Sequence, residues 1–228
     1  MRFLLVHGTT QSPEGWRLLI DELNAIGHSA VPTDLARFGE RASATEYGEA
    51  VAAEHSGSTV DVVVGHSGAG LLLPTIASAT RAKMQVYLAA FVPDGPRSLM
   101  DELNDDATAI FNADWIGLDP ARDHDAARRF LFYDCSPEVA NWAVTTLRAF
   151  VPVSVYSEQV LLAPDIPAMC IVPDSDRTLR TEWMVAASRE RLGIEPTVVP
   201  GGHCPHVSRP RDTARILASA LSPGSASR

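Results

Sequence analysis

Cysteine is scarce in this 228-residue chain, and the three present, Cys135, Cys170 and Cys204, are odd in number and widely spaced. They cannot close a disulfide framework, so a reducing, cytoplasmic setting is expected. Basic residues are also few: 19 Lys and Arg stand against 28 Asp and Glu, a formal net charge of −9. Nucleic-acid binding draws on clustered cations that displace counterions, so no nucleic-acid partner is expected. Long apolar runs are missing as well. The opening stretch Phe3-Leu4-Leu5-Val6 meets the polar His7 and Gly8 too soon to form a signal core or a bilayer crossing. No membrane partner is therefore expected. No internal repeat or linker interrupts the chain, and a hydrophobic content of 46% supplies one large core, so a single domain over 1–228 is expected.

What the chain does have is alternation. Short runs rich in Val, Ile and Leu predict strands over residues 2–6, 30–33, 60–65, 84–89, 168–172 and 197–199. Helical spacing lies between them, over 16–26 with Gly27 as its stop, over 44–55 and over 69–78. Parallel strands need crossover connections, so the expected class is α/β, a mostly parallel, doubly wound sheet with helices on both faces. Past Ala89 the alternation stops. Helical segments over 97–103, 124–132 and 137–150 follow without an intervening strand, and residues 93–165 read as a helical lid inserted over the sheet. Residues 222–228 are small and polar, with nothing to bury, and are expected to fray.

The strand pattern of Val62-Val63-Val64 runs straight into Gly65-His66-Ser67-Gly68-Ala69 and then into an apolar helical stretch. That strand–turn–helix context is what a nucleophile elbow requires, with small residues two positions either side of the serine. A serine hydroxyl is weak at its free pKa, so a base must take its proton and a third group must fix the base's tautomer. In this architecture the partners follow in the order acid, then histidine. The loop after the last strand offers His203, and the loop after the strand before it offers Asp174 and Asp176; Asp94, after an earlier strand, is a further carboxylate. The tetrahedral intermediate needs two backbone donors, one after the nucleophile and one from an early loop. Gly68 and Thr9 fill these places, Gly8 giving the turn, and the side chain of Thr9 is expected to matter little.

Each residue also has an ordinary structural role open to it. Ser67 can be a turn serine, His203 a loop histidine and Asp176 a cap for a helix over 179–191; it is their joint order that favours catalysis. His66 reads as packing beside the elbow and His7 as bracing loops through hydrogen bonds. His203, Cys204, His206 and Cys170 match no common zinc spacing, so no metal and no cofactor is expected. Among Phe91, Phe111, Trp115, Phe130, Phe132, Trp142 and Phe150, some are expected to line an apolar pocket and the rest to sit in the core.

At these residues the sequence resembles the methylesterase, hydroxynitrile lyase and bacterial pyrethroid-hydrolase-like carboxylesterase branch of the α/β-hydrolases. The likeness spans nearly the whole chain. It rests on Val6-His7-Gly8 with Trp16, Gly39-Glu40-Arg41, Gly65-His66-Ser67, the stretch from Tyr87 to Asp94, Asp176-Arg177, and Gly202-His203 with Ser208 and Pro210. The resemblance implies a Ser67–His203–Asp176 triad, oxyanion donors at Thr9 and Gly68, a helical lid and no metal. Three departures qualify it. Gln11-Ser12-Pro13-Glu14 replaces a His-Gly-Gly-Trp-like stretch, which changes one pocket wall. Gly68 stands where relatives carry a large side chain, which is expected to leave open space beside Ser67 and a wider acyl pocket. Cys204 and Gly8 replace the Lys and the hydroxyl residue of the plant lyases, so cyanohydrin cleavage loses its support.

The expectation is thus a carboxylic-ester hydrolase acting on a small-to-medium apolar small-molecule substrate. A biosynthetic thioesterase, lactonase or cyclase would use the same triad, and a non-catalytic ligand-binding protein would share only the fold.

Overall fold

Successive residues of a strand face opposite sides of a sheet, and here the alternation divides the apolar residues between two cores. Leu4, Val6, Val63, Tyr87, Cys170 and Val172 pack into one, and Phe3, Leu5, Val62, Val64, Val86, Leu88 and Ile171 into the other. A strand apolar on both sides must be covered on both, which demands helices above and below. The computed structural model describes residues 1–221 in this arrangement. The tail expected to fray, 222–228, lies outside the described residues.

Six strands, β1 (Arg2–Val6), β2 (Ser29–Thr33), β3 (Val62–His66), β4 (Met84–Leu88), β5 (Ala168–Pro173) and β6 (Thr197–Val199), form one sheet in the order β2-β1-β3-β4-β5-β6. All five pairings are parallel. Helices α1 (Arg17–Ala25), α2 (Ala44–Glu54) and α3 (Leu73–Thr80) provide the early crossovers. Leu19 and Leu23 of α1 join the second core, while Tyr47 and Val51 of α2 and Ile76 of α3 join the first. The helix expected over 69–78 differs at its start: Ser67–Leu72 form a 3₁₀ turn, and the α-helix begins only at Leu73. The chain leaves β1 for one neighbour and returns on its other side, so the carboxyl ends of β1 and β3 flank a switch point, where ligands bind in open α/β sheets.

Between β4 and β5 run α4 (Leu99–Ile110), α5 (His124–Phe130), α6 (Pro137–Thr145) and the single turn α7 (Val153–Tyr156). The first starts at a capping box of Ser98 and Asp101, a signal within the sequence that places its start two residues past the expected 97. The helix expected over 137–150 stops at Thr145. Residues 148–150 instead pair with the first loop, Arg148 N donating to Thr10 O at 3.1 Å and Thr10 N to Phe150 O at 2.8 Å. The segment is also not purely helical, since Phe111 bridges antiparallel to Leu179. The chain closes with α8 (Thr181–Leu192), α9 (Pro205–Ser208) and α10 (Pro210–Ala218). No helix among the described residues is long and apolar enough to cross a membrane.

Candidate active site

The turn after β3 is tight. Ser67 has φ of 53°, in the left-handed region that favours glycine, and a side chain persists there only when its surroundings hold it. One restraint is Phe91 N, which donates to Ser67 O at 3.1 Å. The small residues at the elbow have a steric reason: a Cβ on Gly65 would lie 2.8 Å from Leu73 Cγ. Gly68 is the second residue of the 3₁₀ turn, where an N–H has no intrahelical acceptor and is free to meet a negative oxygen.

Gly8 is required for close approach rather than for the turn. A Cβ there would fall 2.9 Å from both His66 O and Ser67 Cβ, whereas the positive φ in this loop belongs to Thr10, at 59°. Thr10, pinned by the 148–150 segment, leaves the Thr9 N–H without an acceptor among the described residues. The space expected beside Gly68 is filled. A Cβ on Gly68 would collide with Thr9 Oγ1 and stand 2.8 Å from the Tyr156 hydroxyl, two groups hydrogen-bonded to each other. The Thr9 side chain is therefore no bystander, and the missing side chain at 68 makes room for this hydroxyl pair instead of for substrate.

Asp176 Oδ2 lies 2.7 Å from His203 Nδ1, and both side chains are buried. The other carboxylate oxygen accepts from Thr178 N at 2.7 Å, Thr178 Oγ1 at 2.9 Å and Leu179 N at 3.1 Å. One carboxylate thus ties down the Thr178–Leu179 turn with one oxygen and the imidazole with the other, but it does not cap the following helix, which starts at Thr181 behind Arg180. With Nδ1–H donating to Asp176, Nε2 is left as the acceptor. Asp174 is exposed and accepts instead from Gly201 N at 3.1 Å and Ser175 Oγ at 2.8 Å. Asp94 lies 3.8 Å from Arg191 Nε. Only Asp176 of the three carboxylates meets the imidazole.

Behind His203 is a buried imidazole cluster. His66 Nε2 donates to His203 O at 2.8 Å, and the Gln11 amide lies 3.0 Å from His66 Nδ1 and 3.6 Å from Cys204 Sγ. Burial holds the His66 pKa well below its ordinary value, so the ring is neutral. Its Nδ1 faces Gln11 Oε1, and Gln11 Nε2 donates to Cys204 Sγ. His206 packs between His66, ring centroids 4.5 Å apart, and Trp16, 4.4 Å apart, and burial lowers its pKa to about 3. His66, Cys204 and His206 bring ligand atoms within 4.8 Å of one another. Both His66 nitrogens are already engaged and burial pushes the Cys204 thiol far up, so the trio fits a neutral packed cluster better than a metal cage. His7 braces two loops as expected, its Nδ1 donating to Gly8 O at 3.0 Å and its Nε2 accepting from Leu35 N at 3.2 Å.

Ser67 and His203 open onto one cavity of about 420 Å³. Phe91, Phe111, Trp115 and Phe150 wall it, whereas Phe130 and Phe132 are buried outside its lining and Trp142 carries the Arg17 guanidinium 4.3 Å above its ring. Glu40 and Asp119 also border it. Sequence reading missed how the 93–165 segment holds the loops that carry Asp176 and His203. Asn112 Nδ2 donates to Asp176 O at 3.0 Å, Tyr133 OH to Ser175 O at 2.6 Å, and Gly202 N to Asp134 Oδ2 at 2.9 Å. No local pattern marks these residues, because their partners lie 42 or more positions away and are set only by tertiary packing.

A family model described as "Alpha/beta hydrolase family" matches residues 3–216. No curated protein matches the chain. Among solved structures, polyneuridine aldehyde esterase superposes with a TM-score of 0.78 at 18% identity, over 96% of this chain and 98% of that one. A pyrethroid hydrolase from Sphingobium faniae JZ-2 gives 0.78 at 16%, over 98% of both chains. A methylesterase from Arabidopsis gives 0.71 at 18%, over 97% and 99%. These likenesses establish the fold, and the branch is the one the sequence motifs resemble. With a family match over nearly its whole length, a six-stranded parallel sheet of the same fold and a strained serine at the switch point, the chain belongs to the alpha/beta hydrolase family.

Proposed function

We propose that this protein is a serine hydrolase that cleaves a carboxylic ester of a small-to-medium apolar substrate through an acyl-enzyme. Ser67 Oγ attacks the acyl carbon while His203 Nε2 takes its proton. The N–H groups of Thr9 and Gly68 receive the oxyanion. Collapse of the tetrahedral intermediate expels the alcohol, which takes its proton from His203, and water then releases the acid by the same steps. Asp176 holds the imidazole tautomer and stabilises the imidazolium. The reading needs no metal and no cofactor, takes residues 93–165 as the lid over the site, and places the protein in the cytoplasm, where its three free cysteines stay reduced.

The observation that carries it is the 2.7 Å Asp176–His203 contact on the wall of the cavity that also holds the strained Ser67. The cavity is mostly apolar and of a size suited to a small organic ligand. Two of the neighbouring structures are named as esterases and one as a pyrethroid hydrolase, which fits this chemistry. The test is labelling by a fluorophosphonate probe, followed by turnover on esters, thioesters and lactones. Labelling lost in Ser67→Ala, with esters turned over fastest, is the expected result. Faster turnover of thioesters or lactones would move the substrate class, and ligand binding without labelling would make the protein a receptor.

A further inference from the structure

We propose that the hydroxyl pair of Thr9 and Tyr156 forms a third, side-chain oxyanion donor in this site, an inference that rests on the serine-hydrolase reading above. Both hydroxyls stand against the backbone of Gly68, whose N–H is one of the two backbone donors, and Thr9 carries the other. Both residues line the same cavity as Ser67 and His203.

The argument is one of counting protons. The two hydroxyls carry two O–H groups and share one hydrogen bond, and neither has another partner among the described residues. Only one proton can lie between the two oxygens. The other is a donor with no protein acceptor, held at the corner of the cavity where the acyl oxygen gains charge. A phenol is the stronger acid and an aliphatic hydroxyl the better acceptor, so Tyr156 donates to Thr9 Oγ1 and the Thr9 O–H is the free donor. A hydroxyl that accepts one hydrogen bond donates a stronger one.

Both partners are held in place before substrate arrives. Thr9 is fixed by the pairing of Thr10 with Arg148 and Phe150, and Tyr156 by α7, where Val155 is buried and Ser154 Oγ donates to Arg41 O at 3.0 Å. Fixed donors cost no reorganisation at the moment of reaction, which is what gives an oxyanion hole its effect. Burial pushes the Tyr156 hydroxyl up to about 12, so it stays protonated through the neutral range. In this view Thr9 touches the reacting oxygen and Tyr156 is a positioning residue acting through it.

The experiment compares Thr9→Val, Thr9→Ser and Tyr156→Phe on one activated ester, with fluorophosphonate labelling of the wild type alongside. Thr9→Val keeps shape and backbone N–H but loses the proton, and kcat is expected to fall about tenfold or more with KM little changed, the pattern of an interaction made in the transition state. Thr9→Ser restores the rate. Tyr156→Phe loses less, about threefold, and the Thr9→Val/Tyr156→Phe double variant is no slower than Thr9→Val alone because the two act as one unit. Wild-type kcat in Thr9→Val, or a loss confined to KM, overturns the third donor while labelling of the wild type keeps the serine hydrolase. A wild type that resists labelling overturns both.

Discussion

The catalytic loops and the 93–165 segment obey different rules. Ser67, Asp176 and His203 leave the carboxyl ends of parallel strands, and their positions follow from the sheet order. The 93–165 segment has no strand in the sheet; Leu99, Ile110, Phe150, Val155 and Val160 pack it into one core, and it reaches the site loops through individual contacts: Asn112 to Asp176, Tyr133 to Ser175, Asp134 to Gly202, Tyr156 to Thr9 and residues 148–150 to Thr10. The difference teaches that strand ends set the positions of the proposed triad, whereas the 93–165 segment braces its loops and walls the cavity. Large losses of rate should therefore map to the strand-end loops and small ones to the insertion.

The largest effect tests the first half of that division. Ser67→Ala, small and in a turn, should fold normally yet lower kcat by roughly 10⁴-fold or more, and His203→Gln should match it without adding to it in the double variant. Residual ester turnover above about one hundredth of wild type in Ser67→Ala would remove Ser67 from the chemistry. Next comes the acid. Asp176→Asn keeps the shape but donates where it should accept, so kcat should fall toward the ~10⁴-fold scale known for such changes. Asp174→Asn and Asp94→Asn, turned toward Gly201 and Arg191, should each cost less than about tenfold. A collapse in either of these with Asp176→Asn near wild type would place the acid elsewhere.

The same division explains what the sequence made legible. All six strands were readable within two residues at either end: β1, β3, β4 and β5 are apolar, mostly buried runs, the edge strands β2 and β6 are short stretches with β-branched residues that stay partly exposed, and the elbow was readable because Ser67 follows β3 directly. Asp176 was harder, since Asp174 shares its loop and only the fold turns one outward and the other toward His203. Of the four α-helices in the 93–165 segment, the single turn α7 was not foreseen, and α4, α5 and α6 were foreseen as helices. Their ends were not, because residues 146–150 have helical spacing yet find better partners in the backbone of the first loop. The reading of Gly68 failed for the same reason: a glycine states that a side chain is missing and leaves unsaid that Thr9 and Tyr156 fill its place.

The two regions should also differ toward acid. His7, His66 and His206 are buried in the strand-end region, whereas the one histidine of the insertion, His124, is exposed. Burial lowers the pKa of His7 to about 4 and of His206 to about 3 from an ordinary 6.5, and lowers His66 well below it. A depressed histidine is neutral in the folded state while the unfolded chain binds the proton, so stability is full above about 6.5 and falls with pH below it. The loss is up to about 1.4 kcal/mol per pH unit for each histidine, and it levels off once pH passes below the folded-state value. Denaturant melts at successive pH values between roughly 6.5 and 4 should show this slope, and His206→Phe, which keeps a ring against Trp16, should reduce it by one histidine's share. A wild-type slope near zero over that range would mean that these rings are hydrated rather than buried.

The smallest expected effect is the one that tests whether the insertion tunes catalysis at all. Asn112 makes two contacts to the acid loop, its backbone N–H to Thr178 O at 2.8 Å and its side chain to Asp176 O at 3.0 Å, and Asn112→Ala removes only the second. The backbone contact and the adjacent bridge of Phe111 to Leu179 survive the change, so the fold should hold. A single neutral hydrogen bond contributes about 0.5 to 1.5 kcal/mol. If it serves to aim Asp176, part of that appears in the transition state, and kcat should drop about two- to tenfold with KM nearly unchanged. Tyr133→Phe, which frees Ser175 O in the same loop, should fall in the same range. Since both variants act through Asp176, each should lose its effect in an Asp176→Asn background, a readout that a merely structural contact does not give. Full activity in both would leave the insertion as a cover that shapes the cavity and nothing more, and a loss beyond about a hundredfold would move Asn112 into the catalytic group with the strand-end residues.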